Sequence, residues 1–288
     1  MKIGVHLRLS GGREKAIRTA MDIGCECIQI FAANPNSWHS PEINLDEAEK
    51  FRSLAVEYDI QPVVIHTPYL LNLASSDPVI YEKSIYALID SMHRADKFGA
   101  SYVVTHIGSH KGAGMEQGIA NVVRGVSRTL DAVDNEVVLL LENSAGGGDS
   151  VGSKFDQIHS ILDAMDGYEN RLGVCLDMAH LWGAGYDVSC KDAVDQTIGD
   201  FISTVGLSWL KVLHLNDTHV ELGSRRDRHA NIGTGLIGEP GFAAILHHPA
   251  LTSLVGIIET PARTLEDDER DIDILKRLRG DLGFGISD

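Results

Sequence analysis

The chain has 288 residues, a hydrophobic share of 43% and a formal net charge of −16. That length and hydrophobicity supply one large core, and a single α/β barrel commonly runs to about 250 residues, so one domain spanning 1–288 is expected. The charge excludes a general nucleic-acid coat and requires any phosphate-binding surface to draw its attraction locally, from metals, arginines or backbone N–H groups.

The first residues lead straight into strand-like IGVHLRL rather than an apolar leader. No apolar run approaches the roughly 20 residues of a membrane helix, and a cytoplasmic protein with no membrane partner is expected. Eight short runs rich in β-branched residues follow in order, at 2–7, 27–31, 62–66, 102–106, 137–142, 172–177, 211–215 and 255–259. Each is nearly continuously apolar, as parallel strands covered on both faces are. Helices are predicted between them, over 12–23 after Ser10, then 46–58, 79–98, 116–133, 154–165, 191–205, 241–246 and 267–278. Asp77-Pro78 supplies an N-cap and a first-turn proline for the longest of these, and Gly99 ends it. Lys276, Arg277 and Arg279 close the last one with charges that suit a helix C-terminus. The final few residues are expected to form a disordered tail.

Eight strands alternating with eight helices predict a (β/α)₈ TIM barrel. An open doubly wound sheet is the alternative, weakened because no GxGxxG follows the first strand. Cys25, Cys27, Cys175 and Cys190 form no CxxC and are expected to be buried, reduced thiols.

From the third strand onward, each strand ends in a potential ligand: His66, His106, Glu142, Asp177, His214 and Glu259, spaced 35–45 residues apart. In a barrel these C-terminal strand ends converge on one site. Three more candidates lie just beyond strand ends: His180 in LDMAH, and Asp227 and His229 in DRH. The stretch VLHLNDTHVELGSRRDRHANIGTGLIG, residues 212–238, holds three of the nine among arginines and tight-turning glycines. Ionised carboxylates are rarely buried unpaired, so three of them together with three histidines at six strand ends are hard to explain by packing. Nitrogen and oxygen donors without thiolate suit zinc, manganese or iron. Nine ligands exceed the needs of one metal. Spread over three divalent ions with one bridging carboxylate, they leave open positions and a locally positive centre. His6 could reach the same pocket, and Asn216 could support the ligands from behind.

The motifs HTPYLLNLAS, THIGSH, LLENSAGGG, CLDMAH and HLNDTHVELGSRRDRHANIGTGLIG resemble those of endonuclease IV, the zinc-dependent apurinic/apyrimidinic endonuclease family. The resemblance runs from IGVH to IETP. It implies three zinc ions, one or more replaceable by manganese or iron. One would lie among His66, His106 and Glu142. Glu142 would bridge to a second held by Asp177, His214 and Glu259, and His180, Asp227 and His229 would hold the third. It further implies hydrolysis of the phosphodiester bond 5′ to abasic sites in duplex DNA by metal-bound hydroxide. The products would be a 3′-hydroxyl and a 5′-deoxyribose phosphate, and Glu142 would be the catalytic residue that orients the nucleophile. A monomer would suit a barrel that lays its open face on a duplex.

Tyr69 and Arg228 are the implied DNA contacts, together with Asn36, Ser37 and Trp38 of AANPNSWHS. That last stretch departs from the family's usual KNPRQW. Asn36 and Ser37 stand where the family wedges Arg and Gln into the duplex, and Ala33 stands where it has Lys. Weaker DNA engagement is therefore expected, or a wedge formed by Trp38 or His39. The rival reading is a metal-dependent sugar isomerase or epimerase of the xylose-isomerase-like barrels. Glu142, Asp177, His214 and Glu259 alone would fit it, but it has no evident use for His180, Asp227 and His229.

Overall fold

The computed structural model describes residues 1–9, 11–261 and 264–281. Its strands in chain order are β1 (Lys2–His6), β2 (Cys27–Phe31), β3 (Val63–His66), β4 (Tyr102–His106), β5 (Val138–Glu142), β6 (Leu172–Asp177), β7 (Leu210–His214), the two-residue pair β8 (Asp217–Thr218) and β9 (His229–Ala230), and β10 (Val255–Ile258). β1 to β7 pair in parallel with their sequence neighbours, and β10 closes the ring between β7 and β1. Closure overturns the open-sheet alternative. Every predicted barrel strand is present to within one residue at each end. Ser10 and the expected C-terminal tail lie outside the described residues.

The helices are α1 (Arg13–Asp22), α2 (Leu45–Glu57), α3 (Pro78–Phe98), α4 (Met115–Ala132), α5 (Phe155–Asp163), α6 (Met178–Ala184), α7 (Lys191–Thr204), α8 (Gly238–His247) and α9 (Leu265–Arg279). α3 starts as its sequence dictates. The Asp77 side chain accepts N–H bonds from Val79 and Ile80, and Gly99 ends the helix in the left-handed region. Two cores result from the period-2 alternation of the strands. Outward residues such as Ile28, Ile65 and Leu141 pack under the helices. Inward residues Cys27, Val64, Val104, Leu140, Cys175, Val212, Val255 and Ile257 fill the barrel.

Three cysteines are buried as expected, and burial pushes the thiols of Cys25 and Cys175 up to about 12. Cys190 is the exception. It is exposed at the N-cap of α7, one residue outside the helix whose apolar face is buried.

Asp217 anchors the segment that follows β7. It is fully buried, and its carboxylate accepts backbone N–H bonds from Thr218, Gly233, Gly235, Ile237 and Gly238. Gly235 is required there, because an added Cβ would lie 2.3 Å from Asp217 Oδ1 and 2.4 Å from the Thr218 carbonyl. This latch fixes the base of the β8–β9 hairpin, whose loop carries Asp227 and whose second strand carries His229. Asp217→Ala would leave those donors without their acceptor, an expected loss of about 3 kcal/mol or more. At this chain length that lowers the melting temperature by roughly 6–10 °C. A thermal melt within a degree of the parent would show that the carboxylate does not hold the loop.

Candidate metal centre at the barrel mouth

The inward alternation decides which side chains meet. Val64, Val104, Leu140, Cys175, Val212 and Ile257 line the barrel interior. Two residues further along each strand stand His66, His106, Glu142, Asp177, His214 and Glu259, so all six point into the mouth. His180 arrives by a different route. Asp177 ends β6 and also caps α6, where its Oδ1 accepts the His180 N–H at 2.7 Å. One residue thus ends a strand, starts a helix and turns His180 inward. Sequence reading placed His180 correctly beyond the strand but did not identify α6, a helix of 7 residues with no loop before it. The β8–β9 hairpin likewise lies within a stretch read as loop.

The nine side chains form three overlapping groups. Ligand atoms of His66, His106 and Glu142 lie within 4.8 Å of one another. The same holds for Glu142, Asp177, His214 and Glu259, and for Asp177, His180 and His229. Glu142 is shared as expected. Asp177 is shared as well, which the single-bridge expectation did not include. Asp227, the most exposed of the nine, approaches the third group from the solvent side, 3.2 Å from His180 Nε2 and 3.2 Å from His229 Nε2. Across the cluster, nitrogen-to-oxygen separations include 3.2 Å for His66–Glu142, 3.3 Å for His106–Glu142 and 3.0 Å for His214–Glu259.

These separations fit cations. Nitrogen and oxygen ligands at roughly 2.0–2.2 Å from a four-coordinate metal lie about 3.4 Å apart. His229 Nε2 is buried and makes no hydrogen bond although two carboxylates flank it. The histidine tautomers point the same way. His66 Nδ1 lies 2.8 Å from the Thr67 carbonyl, His180 Nδ1 2.9 Å from that of Asn143, and His229 Nδ1 3.1 Å from that of Glu259. A carbonyl only accepts, so each Nδ1 carries a proton and each Nε2 is the nitrogen left to ligate a cation or, without one, to take up a second proton.

Without a cation the cluster must take up protons. Burial would raise the Glu142 carboxyl, but His106 and His214 outweigh it and hold it well below the usual range. Burial likewise opposes ionisation of Glu259, and His214 overrides it. On His106, His180, His214 and His229, burial works downward and the carboxylates win. His180 and His214 rise well above their ordinary value, and His229 reaches about 9 beside Asp177 and Asp227.

The cluster floors an open cleft of about 540 Å³ lined also by His6, Arg8, Phe31, Tyr69 and Arg228. Tyr69 is exposed at its rim, with its ring 6.3 Å from that of His106 and edge-on to Phe31 at 5.1 Å. Arg228 is exposed, and its guanidinium donates back to the Asp227 carbonyl at 2.7 Å. Asn36, Ser37 and Trp38 do not line this cleft. Asn36 is exposed, and its N–H is tied to Asn34 Oδ1 at 3.0 Å. The Ser37 hydroxyl turns back onto His39. Trp38 packs partly into the core under Lys83 of α3. His39 is exposed.

Sequence reading missed Phe31 and Gln29. Both share the inward parity of Cys27 on β2, and that parity was the available signal. It did anticipate Asn216, whose amide donates to Asp177 Oδ2 at 2.6 Å. His6 does reach the pocket, 2.9 Å from Glu259 Oε1.

The fold and its mouthful of imidazoles and carboxylates define a xylose isomerase-like TIM barrel, and the family model of that description matches residues 17–279. A protein of Methanoculleus marisnigri named "Probable endonuclease 4" is 43% identical over 96% of this chain and 99% of its own length. A Halothermothrix orenii protein of the same name is 38% identical over 98% and 100%. The crystal structure of endonuclease IV from Thermus thermophilus superposes with a TM-score of 0.86 at 33% identity, covering 98% of this chain and 100% of that one. The chain belongs to the endonuclease IV family, and its activity is that of an endonuclease. A D-tagatose 3-epimerase-like protein shares the barrel at 18% identity and a TM-score of 0.72, a likeness of fold alone.

The protonated histidines set a pH dependence. A group whose folded value is raised to about 9, as at His229, holds its proton below that pH in the metal-free chain. A metal must displace it, so zinc uptake by stripped protein is expected to release protons and to tighten as pH rises from about 7 toward 9. Titration calorimetry in buffers of different ionisation enthalpy measures this. Heats independent of the buffer would mean that the histidines are not the ligands.

Proposed function

We propose that this chain hydrolyses the phosphodiester bond 5′ to abasic sites in duplex DNA, leaving a 3′-hydroxyl and a 5′-deoxyribose phosphate. It would do so as a cytoplasmic monomer carrying three zinc ions, replaceable in part by manganese or iron. The observation that carries this reading is the set of three ligand groups joined through Glu142 and Asp177 at the floor of an open cleft. A sugar isomerase has no evident use for the group built on His180 and His229. Among the described residues no helix is long and apolar enough to cross a bilayer.

His66, His106 and Glu142 would hold one metal, Glu142, Asp177, His214 and Glu259 the second, and His180, Asp227 and His229 the third, with Asp177 beside it. Bound divalent metals supply Lewis acidity toward a phosphoryl oxygen and lower the pKa of water. The protein's share is to hold those charges rigidly. Buried Glu142 ties two groups together and cannot swing away, because His66, His106, His180 and His214 surround its two oxygens. Arg228 places a cation at the rim of a strongly acidic protein, where a phosphate must pass. Tyr69 presents a flat ring beside His106, suited to packing against the sugar or base at the lesion.

The first test is incision of an end-labelled duplex carrying one abasic site, before and after prolonged chelation, with metal content read on the same sample. Cleavage 5′ to the site, about three metals per chain and loss on stripping are expected. A metal-loaded chain that leaves the duplex uncut would overturn the proposal and direct attention to free and phosphorylated sugars. Glu142→Ala is expected to lower incision by roughly 10³-fold or more, with the circular dichroism spectrum of a folded barrel retained. Substantial residual incision would refute its joining role. Asn36→Arg restores reach and charge at an exposed position beside the cleft and is expected to tighten binding to abasic duplex several-fold. Unchanged affinity in a gel-shift titration would show that this loop does not engage the DNA.

A further inference from the structure

Besides Asn216, the barrel mouth contains a second fully buried amide that neither the strand-end pattern nor the nine candidate ligands account for. Gln29 lies on β2, inward-facing like Cys27 two residues before it, and is 0% exposed. Its Nε2 donates to Glu259 Oε1 at 2.6 Å, and its Oε1 lies 3.0 Å from His214 Nε2. The assignment of the amide follows from chemistry. An ionised carboxylate only accepts, so the NH₂ must face Glu259 and the carbonyl must face His214. His214 Nε2 must then carry its proton. The remaining nitrogen, Nδ1, lies 3.0 Å from Glu259 Oε2, 3.2 Å from Glu142 Oε1 and 3.8 Å from Asp177 Oδ2, and is the one left to ligate a metal.

Gln29 also decides how Glu259 can act. Its Oε1 takes the Gln29 donor and lies 2.9 Å from His6 Nδ1, leaving Oε2 as the oxygen that faces His214. The Glu259 backbone N–H donates to Asn216 Oδ1 at 2.7 Å, so the residue is fixed at both ends. His66, His180 and His229 have their tautomers set by backbone carbonyls, which no substitution removes. His214 differs from these three: a side-chain carbonyl, that of Gln29, rather than a backbone carbonyl meets its Nε2.

We propose that Gln29, supported by His6, is a positioning residue for one metal of the cluster. It selects Nδ1 of His214 and a single oxygen of Glu259 as the donors of the group that these two form with Glu142 and Asp177. The inference rests on the metal-centre reading above. Partners that orient ligands in this way commonly alter metal affinity by about 10–100-fold.

Gln29→Met keeps the volume and removes the amide's contacts with Glu259, His214 and His6. Gln29→Asn keeps the amide and withdraws it by one methylene. Each variant is compared with the full-length parent for zinc bound per chain in graded chelator buffers. The cobalt-substituted forms are compared by visible spectroscopy, and circular dichroism checks the fold. Both variants are expected to weaken one metal by about 10–100-fold, leave the others at parent affinity and shift the cobalt bands. A role in packing alone would leave the Met variant unchanged in metal content and spectrum, and that result overturns the proposal. Uniform weakening of all the metals would overturn it too. The parent protein offers a check that needs no variant. Imidazole ¹⁵N spectra of the zinc-loaded chain should show His214 protonated at Nε2, and the opposite tautomer sinks the inference. A parent that binds no metal at all would instead refute the metal centre itself.

Discussion

Four carboxylates meet at one end of the barrel, and two of them, Glu142 and Asp177, are essentially sealed from water. Removing such charges from solvent carries an effective penalty of several kcal/mol per ion even after relaxation. Only cations at close range offset it. The five surrounding histidines can supply that charge as protons or surrender it to metals, and the raised values at His180, His214 and His229 show how strongly the site demands it. The rest of the structure serves to keep these groups together despite their mutual repulsion.

A parallel barrel meets that demand because its strand ends are rigid and its side chains alternate. The apolar layer of Val64, Val104, Leu140, Cys175, Val212 and Ile257 locks each strand in register one pleat below the cluster. Backbone carbonyls then set three histidine tautomers, a control that varies little with side-chain motion. The members not borne on barrel strands receive their own fixtures. His180 sits on a helix capped by Asp177, and the base of the hairpin that carries Asp227 and His229 is held by the buried Asp217 latch. Ligand position is thus determined by secondary structure, caps and one buried acceptor rather than by long flexible loops.

This division explains what could be read from the sequence. The strand-end residues were legible because an ionisable group closing an apolar run repeats with the βα unit, and packing gives no reason for that repeat. The barrel itself was legible from the same runs. Gln29 was not, since a neutral amide inside CIQIF carries no charge to flag it, and two of its partners, His214 and Glu259, lie 185 and 230 residues away. Phe31 was hidden by its ordinariness as a strand residue. α6 was hidden by starting on the residue that ends β6. The sharing of Asp177 depends on a distance between two groups, which spacing along the chain cannot encode. Cys190 was misjudged because apolar neighbours in sequence do not bury a residue that stands at a helix cap.

The stretch AANPNSWHS separates the chemistry of the site from its recognition of a duplex. The candidate ligands stand on barrel strands, a capped helix and a latched hairpin, whereas Asn36, Ser37 and Trp38 lie outside the cleft. Holding a nucleotide out of a duplex requires compensation for an unstacking cost of a few kcal/mol. Asn36 and Ser37 are short, and the Ser37 hydroxyl is already engaged by His39. Trp38 is held under Lys83 as an anchor. The loop's remaining connection to the cleft is the Tyr69 N–H, which donates to the Pro35 carbonyl at 3.0 Å. On the proposed function, that bond makes the loop a brace for Tyr69. The compensating contact would then fall to the aromatic group of Tyr69 and Phe31 at the rim, next to the candidate ligands and continuous with His106 and His66. Stacking of a base on an aromatic ring is worth about 1–3 kcal/mol, enough to offset much of that cost without a wedge.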